Sequence, residues 1–198
     1  MKILLDNGHG VNTSGKRSPD GKHREYLWCR EFARLLRDEL TKEGLDADLV
    51  TPEDTDISIT KRCARVNQVC KLLGSKNVLL ISIHNNAAGS NGQWLQARGF
   101  SSRVSNNASD RSKDLATFIA KSVYDSGIKV RKIVSYQWYW PQNLGICRDT
   151  NCPAVLTENL FQDNREDVAL LHDEAFIMKL CNAYVKGIKA YINKYVYG

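Results

Sequence analysis

Nothing in this chain approaches the run of about 18 apolar residues that spans a bilayer. Met1 to Leu5 is too short for the apolar part of a secretory leader, and Asp6 interrupts it. The sequence is therefore read as made in the cytoplasm and released by lysis or another route, or as having had a leader trimmed away. None of the six cysteines forms a Cys-x-x-Cys pair, which removes the usual zinc-ribbon and redox spacings. No basic run exceeds two residues (Lys16-Arg17, Lys61-Arg62, Arg131-Lys132), and no nucleic-acid recognition motif is present, so no nucleic-acid partner is expected. Internal repeats, low-complexity tracts and linkers are all missing.

What remains is ordinary globular material. The 198 residues are 42% apolar and 25% charged, enough for one domain over 1–198 with a real core. The net charge of +6 permits attraction to an anionic polymer such as nucleic acid, a membrane surface or an acidic cell wall. Scattered as it is, that charge fits a mildly basic solvated surface equally well. The chain is expected to be a monomer. A core of this size needs no staples, so Cys29, Cys63, Cys70 and Cys181 read as small buried hydrophobes on helices. Cys147 and Cys152 lie close enough around a turn to bridge, an alternative the sequence leaves open.

Two stretches share one design. Ile3-Leu4-Leu5 is a buried strand that ends in the glycine-flanked turn Asp6-Asn7-Gly8-His9-Gly10. Val78 to Ile83 is a second buried strand, running straight into His84-Asn85-Asn86. Between them, Val11 to Lys22 reads as a polar loop and Tyr26 to Glu43 as a helix with Cys29, Phe32, Ala33, Leu36 and Leu40 inward. Gly44 stops that helix, and Glu25 stands at its entrance, where a carboxylate is favoured. Asp46 to Val50 is a short strand. A second helix, capped by Asp56 or Ser58, carries Ile59, Cys63, Val66, Cys70 and Leu73 inward and ends at Gly74.

Beyond His84 lies a Gly, Ser and Asn-rich region from Ala87 to Asn107, with a strand over Trp94 to Phe100. A helix from Asp110 to Asp125 turns Leu115, Phe118, Ile119 and Ser122 inward. Tyr136, Trp138, Tyr139 and Trp140 form an aromatic loop or strand end suited to contact with sugar or peptide. Leu144 to Cys147 and Ala154 to Thr157 read as short strands, the second ending in Glu158. A last helix, Asp167 to Tyr195, carries Leu171, Ala175, Met178, Val185, Ile188 and Ile192. Alternating strands and helices predict a single α/β domain, its twisted sheet mostly parallel and flanked by helices on both faces. Sites in such folds form at the carboxyl ends of strands, where this reading puts His9, His84 and Glu158.

A catalytic zinc takes about three nitrogen or oxygen ligands and keeps one position open. His9, Glu25 and His84 offer such a set. Glu158, outside it, could move protons between water and a leaving amine. Each also has a plainer reading: turn residues for the histidines, a helix-start charge for Glu25, an arginine-paired loop carboxylate for Glu158. His23 could compete as a ligand, although an exposed loop histidine is the preferred reading, and His172 is expected on the surface of the last helix. Arg148 could bind a substrate carboxylate through its planar fork, or form a structural ion pair. Asn85, Asn86 and Asp6 are candidates to orient the histidines or the substrate, although Asp6 could simply cap its turn.

Several of these motifs resemble one family in order. Asp6-Asn7-Gly8-His9-Gly10, Glu25 opening a helix, Ile81-Ser82-Ile83-His84-Asn85-Asn86-Ala87, and Pro153 to Asn159 resemble the zinc-dependent N-acetylmuramoyl-L-alanine amidases of the amidase_3 family. So do Ile59-x-x-Arg62-x-x-x-Val66-Asn67 and Leu144-Gly145-Ile146-Cys147-Arg148. The similarity runs from about residue 2 to 192. It implies zinc held by His9, Glu25 and His84, with Glu158 as general base. The implied reaction cuts the amide between N-acetylmuramic acid and the L-alanine of the stem peptide, with peptidoglycan as the partner and the cell wall as the place of action. Arg148 and Asn86 are the candidates for substrate contact. Asn7 stands where the family usually has proline, Asn86 where alanine is common, and Glu158 lacks the glycine that often follows it. None of these removes a ligand, but the pocket around Glu158 is expected to differ in shape. No insertion of the self-inhibiting kind is present, so an open site is expected. A zinc hydrolase of another amide and an inactive wall-binding module are the alternatives.

Overall fold

Strand β1 (Lys2–Asn7) is buried on both faces from Ile3 onward, which is why its sequence is a plain apolar run instead of an alternation. In the computed structural model, which describes residues 1–89 and 92–197, it sits inside a six-stranded sheet of order β2-β1-β3-β6-β4-β5. The other strands are β2 (Asp46–Leu49), β3 (Val78–Asn86), β4 (Ser101–Val104), β5 (Tyr139–Pro141) and β6 (Ala154–Phe161). β2, β1, β3 and β6 run parallel; β4 is antiparallel to β6, and β5 follows β4.

Alternate residues along the strands feed two cores. Ile3, Leu5, Leu79, Ile81, Ile83 and Val155 pack beneath α1 (Glu25–Lys42), α3 (Asp110–Asp125) and α6 (Glu174–Ile192). Leu4, Val78, Leu80, Ala154 and Leu156 face α2 (Ile59–Leu73) and α4 (Gly145–Arg148). This confirms the expected mostly parallel α/β sheet with helices on both faces. The chain leaves β1 through α1 towards β2 on one side and leaves β3 towards β4 on the other. The carboxyl ends of β1 and β3 are therefore a topological switch point, where open α/β sheets form their crevices.

Local expectations needed several corrections. The strand expected over Trp94 to Phe100 lies later, at Ser101–Val104. Its surrounding region includes Ser90 and Asn91, which lie outside the described residues. Leu144 to Cys147 is not a strand: Gly145–Arg148 forms a single helical turn, too short to show a period in sequence. The last helix is two. α5 (Arg165–Leu171) ends before Asp173, whose carboxylate accepts the Ala175 and Phe176 amides and caps α6 afresh. Phe176, Leu180 and Cys181 pack inward there, while Ala175 and Met178 are exposed. In α2, Ser58 is the cap, and Ile59 and Leu73 at the two ends are exposed while Cys63, Val66 and Cys70 pack. Glu158 lies within β6, not at its end. All six cysteines are free and buried, and Cys152 meets the thiol of Cys70. No helix among the described residues is long and apolar enough to cross a membrane.

Candidate metal centre

The first histidine hangs from a pinned turn. His9 has left β1 with φ 60°, a conformation rare outside glycine. Two buried arginines hold it there. Arg62 donates to the carbonyls of Asn7 (2.6 Å) and His9 (3.2 Å) and pairs with Asp6 at 2.7 Å. Arg30 donates to the His9 carbonyl at 2.9 Å and reaches the Glu53 carbonyl. Asp6 also accepts from Ser82 on β3, so its carboxylate is spent on structure and touches neither ring. Gly8 is obligatory here: a Cβ would lie 2.5 Å from Cε1 of His84.

Glu25 comes inward because it continues the apolar stripe of α1, one turn before Trp28 and Cys29. Its carboxylate is 1% exposed. Oε1 lies 3.3 Å from Nε2 of His9 and 3.1 Å from Nδ1 of His84, and the two rings meet edge-on at 5.0 Å. Burial would raise the Glu25 carboxyl, but the hydrogen bonds to His84 and His9 outweigh it and hold it far below the usual carboxylate range. No arginine or lysine among the described residues pairs with it. The Asn85 amide and Nε2 of Gln162 donate to its two oxygens and fix its orientation.

Behind Asn85 stands His23, which is not the exposed loop residue expected: it is fully buried. Asn85 gives its side-chain NH₂ to the Asn159 carbonyl, so its oxygen must accept from Nε2 of His23 at 2.9 Å. Nδ1 of His23 then accepts from His172, which sits after α5 at the surface. Burial lowers the pKa of His23 and keeps it neutral. His23 is thus two bonds removed from Glu25, an orienting residue and not a competing ligand.

Glu158 faces the same corner from β6, paired in register with His84. Beyond that pair the strands slip. Two steps along β3 to Asn86 match three along β6 to Phe161, and Leu160 takes up the extra residue at φ 63°. This bulge stands where the family's glycine was missed. Glu158 is 15% exposed, and its Oε2 is buried without a hydrogen-bond partner. Burial raises its pKa, against the pull of His84 and Arg103. Arg103 of β4 brings Nε to 3.5 Å from Oε1. Neither Arg103 nor Gln162 was singled out from sequence. Asn86 is buried, with Nδ2 unpartnered. Arg148 lies elsewhere, on α4, its guanidinium on Asp149 (2.7 and 2.8 Å) and on Asn143.

His9, Glu25 and His84 each offer one ligand atom, all within 4.8 Å of one another. Two imidazole nitrogens converge on a buried carboxylate that no arginine or lysine among the described residues neutralises, and that donor set fits a divalent zinc-like ion.

The sequence matches the Amidase_3 family, N-acetylmuramoyl-L-alanine amidase, over residues 3–190. Among curated proteins it is 27% identical over 192 residues to the endolysin of Bacillus phage SPP1, covering 96% of this chain and 66% of that one. It is 26% identical to the probable cell wall amidase LytH of Staphylococcus epidermidis, covering 96% and 58%. The chain thus spans about three fifths to two thirds of the length of these relatives. Among solved structures, an N-acetylmuramoyl-L-alanine amidase from Clostridium difficile 630 superposes with a TM-score of 0.84 at 26% identity, covering 97% of this chain and 96% of that one. The catalytic domain of CwlV from Bacillus (Paenibacillus) polymyxa shares the fold at 24% identity and a TM-score of 0.79, covering 97% and 98%.

Proposed function

The chain belongs to the Amidase_3 family, and from that membership we propose that it is a peptidoglycan hydrolase acting on the cell wall. It cuts the amide joining N-acetylmuramic acid to the L-alanine of the stem peptide, and residues 1–198 form the catalytic unit. The observation that carries this reading is the convergence of His9, Glu25 and His84 beside a separate, half-buried carboxylate, Glu158.

His9, Glu25 and His84 are the residues that would hold zinc. Bound there, such an ion supplies Lewis acidity at the amide carbonyl and acidifies water. The protein's own groups do the rest. Glu158 takes the proton of the attacking water and returns it to the departing amine of L-alanine, so that water adds across the amide with no covalent intermediate. Burial suits Glu158 to this work, since a carboxyl with a raised pKa is a stronger base when ionised and a usable acid once protonated. Asn85 and Gln162 hold Glu25 in place, and the unpartnered Nδ2 of Asn86 is free to donate to substrate. Arg148 takes no part in this reading, because its guanidinium is already on Asp149.

Digestion of purified peptidoglycan, with and without a chelator and followed by mass spectrometry, tests the proposal. Free stem peptides beginning with L-alanine, lost with chelator and restored by zinc, are expected. Intact sacculi from protein that carries zinc would point to another amide substrate. Intact sacculi from protein that binds no metal would overturn the site itself.

A further inference from the structure

Two cross-strand rows run over the sheet face that carries α2 and α4. His84, Glu158 and Ser101 make one; Ser82, Leu156, Arg103 and Trp140 make the next. Side chains opposite one another in register share a face, so Arg103 and Trp140 emerge on the side of His84 and Glu158. The core beneath α2 and α4 draws on β1, β3 and β6 but on no residue of β4 or β5. Past Glu158, Ser101 is buried, whereas Arg103 and Trp140 are partly exposed on this face.

What stands on that partly exposed strip is an aromatic ring with cations beside it. Trp138 and Tyr139 pack against the opposite core, whereas Trp140 packs against neither and stays partly exposed. Its indole N–H is satisfied by the Arg131 carbonyl at 3.1 Å, which fixes the ring. The Arg131 guanidinium lies over one face of that ring, 6.0 Å from its centre, and over the buried ring of Phe161 at 4.9 Å, which leaves the other indole face for a ligand. Arg103 stands between Trp140 and Glu158, its Nη1 on Gln142 and its Nε without a hydrogen-bond partner. β6 to β5 is two strand spacings, about 10 Å, roughly the length of a disaccharide. β5 is the outermost strand, so the strip runs off the sheet edge instead of closing into a pocket.

We propose that this strip is a glycan subsite, with the aminosugar next to the cleaved muramoyl residue lying flat on Trp140. The inference rests on the peptidoglycan reading above. A pyranose ring offers an apolar C–H face to an indole, while its acetamido and hydroxyl oxygens reach sideways to donors, here Arg103 and Arg131. An open-ended strip suits a polymer that continues past the cut site.

Binding of peptide-free glycan strands and, separately, of a free stem tetrapeptide is measured by calorimetry on the full chain and on Trp140→Ala and Trp140→Phe. Amide cleavage of a one-sugar muramoyl dipeptide is measured beside it. The wild type is expected to bind glycan strands, Trp140→Ala about tenfold more weakly, a loss of one stacked ring, and Trp140→Phe nearly as well as wild type. Tetrapeptide binding and dipeptide cleavage stay unchanged. Glycan binding that is undetectable in the wild type, or equal in wild type and Trp140→Ala, overturns the subsite even if the dipeptide is cleaved. Loss of tetrapeptide binding alone in Trp140→Ala also overturns it, in favour of a peptide surface. If purified peptidoglycan releases no stem peptide while Trp140→Ala still loses glycan binding, the subsite stands and the amidase reading falls.

Discussion

The turn that carries His9 and the corner that carries Glu158 solve opposite problems. Around His9, the carbonyls of Asn7 and His9 are pinned by Arg62, with Arg30 joining it on His9, and Asp6 is paired and hydrogen-bonded. Around Glu158, polar atoms lack hydrogen bonds: its own Oε2, Nε of Arg103 (3.5 Å from Glu158 Oε1) and, on the adjoining strand, Nδ2 of Asn86. Buried polar groups without partners are costly and uncommon, so a cluster of them marks a place where something else completes the bonding. A ligand set gains from rigidity, because its geometry must exist before the ion arrives. A base and its neighbours must keep lone pairs and protons available for water and substrate. Among the described residues, the side-chain amide of Asn7, buried without hydrogen bonds, is the exception on the rigid side.

Replacing the base should give the largest effect. Glu158→Gln is expected to lower kcat/KM by about 10²–10⁴-fold while leaving the thermal midpoint unchanged or slightly higher, since a buried, half-satisfied carboxylate is removed. A large fall in the midpoint would mean that Glu158 is structural. On the rigid side, Arg62→Ala strands Asp6 as a buried charge and should cost about 3–5 kcal/mol in denaturant unfolding. A loss below 1 kcal/mol would show that the turn holds without its clamp. Gly8→Ala should push His84 aside and weaken zinc about 10-fold, read by competition with a chromogenic chelator. Unchanged affinity would mean that the two rings need no close approach.

The Glu53–Arg65 side-chain pair, which adjoins the clamp only through the Glu53 carbonyl that Arg30 meets, is the control. Its two-pronged bond holds the Glu53 carboxyl at about 2. A lowered folded pKa adds stability above the ordinary carboxyl range and loses it as pH falls from about 4.5 towards 2. Both side chains are well exposed, so solvent screening limits the Arg65→Gln difference to about 0.5 kcal/mol or less at neutral pH. Urea unfolding at pH 7 and pH 3 checks this, and a gap that persists at pH 2 would contradict it.

The features readable in the sequence are those with local periods or sharp boundaries. β1 and β3 are short apolar runs broken by His-containing turns, and α1 shows an unbroken stripe that Glu25 extends. What was hidden depends on distant contacts. Arg103 gains meaning only when β4 turns antiparallel beside β6. His23 is buried only because Asn85 and His172 arrive from elsewhere in the chain. Of the clamp, only Arg62 stood out in the sequence, within the Ile59-x-x-Arg62 motif; Arg30 is a charge beside the inner stripe of α1 whose partners come from distant turns. The break at Asp173 escaped notice because apolar spacing runs straight across it while the cap is a single carboxylate.

Metal content by mass spectrometry tests the division between holding and reacting most directly. Full chains of wild type, His84→Ala and Glu158→Gln, each loaded with zinc and desalted, are compared. About one zinc per chain in wild type and Glu158→Gln, with little in His84→Ala, is predicted, only the wild type releasing stem peptide. Zinc lost from Glu158→Gln, or retained in full by His84→Ala, would contradict the account.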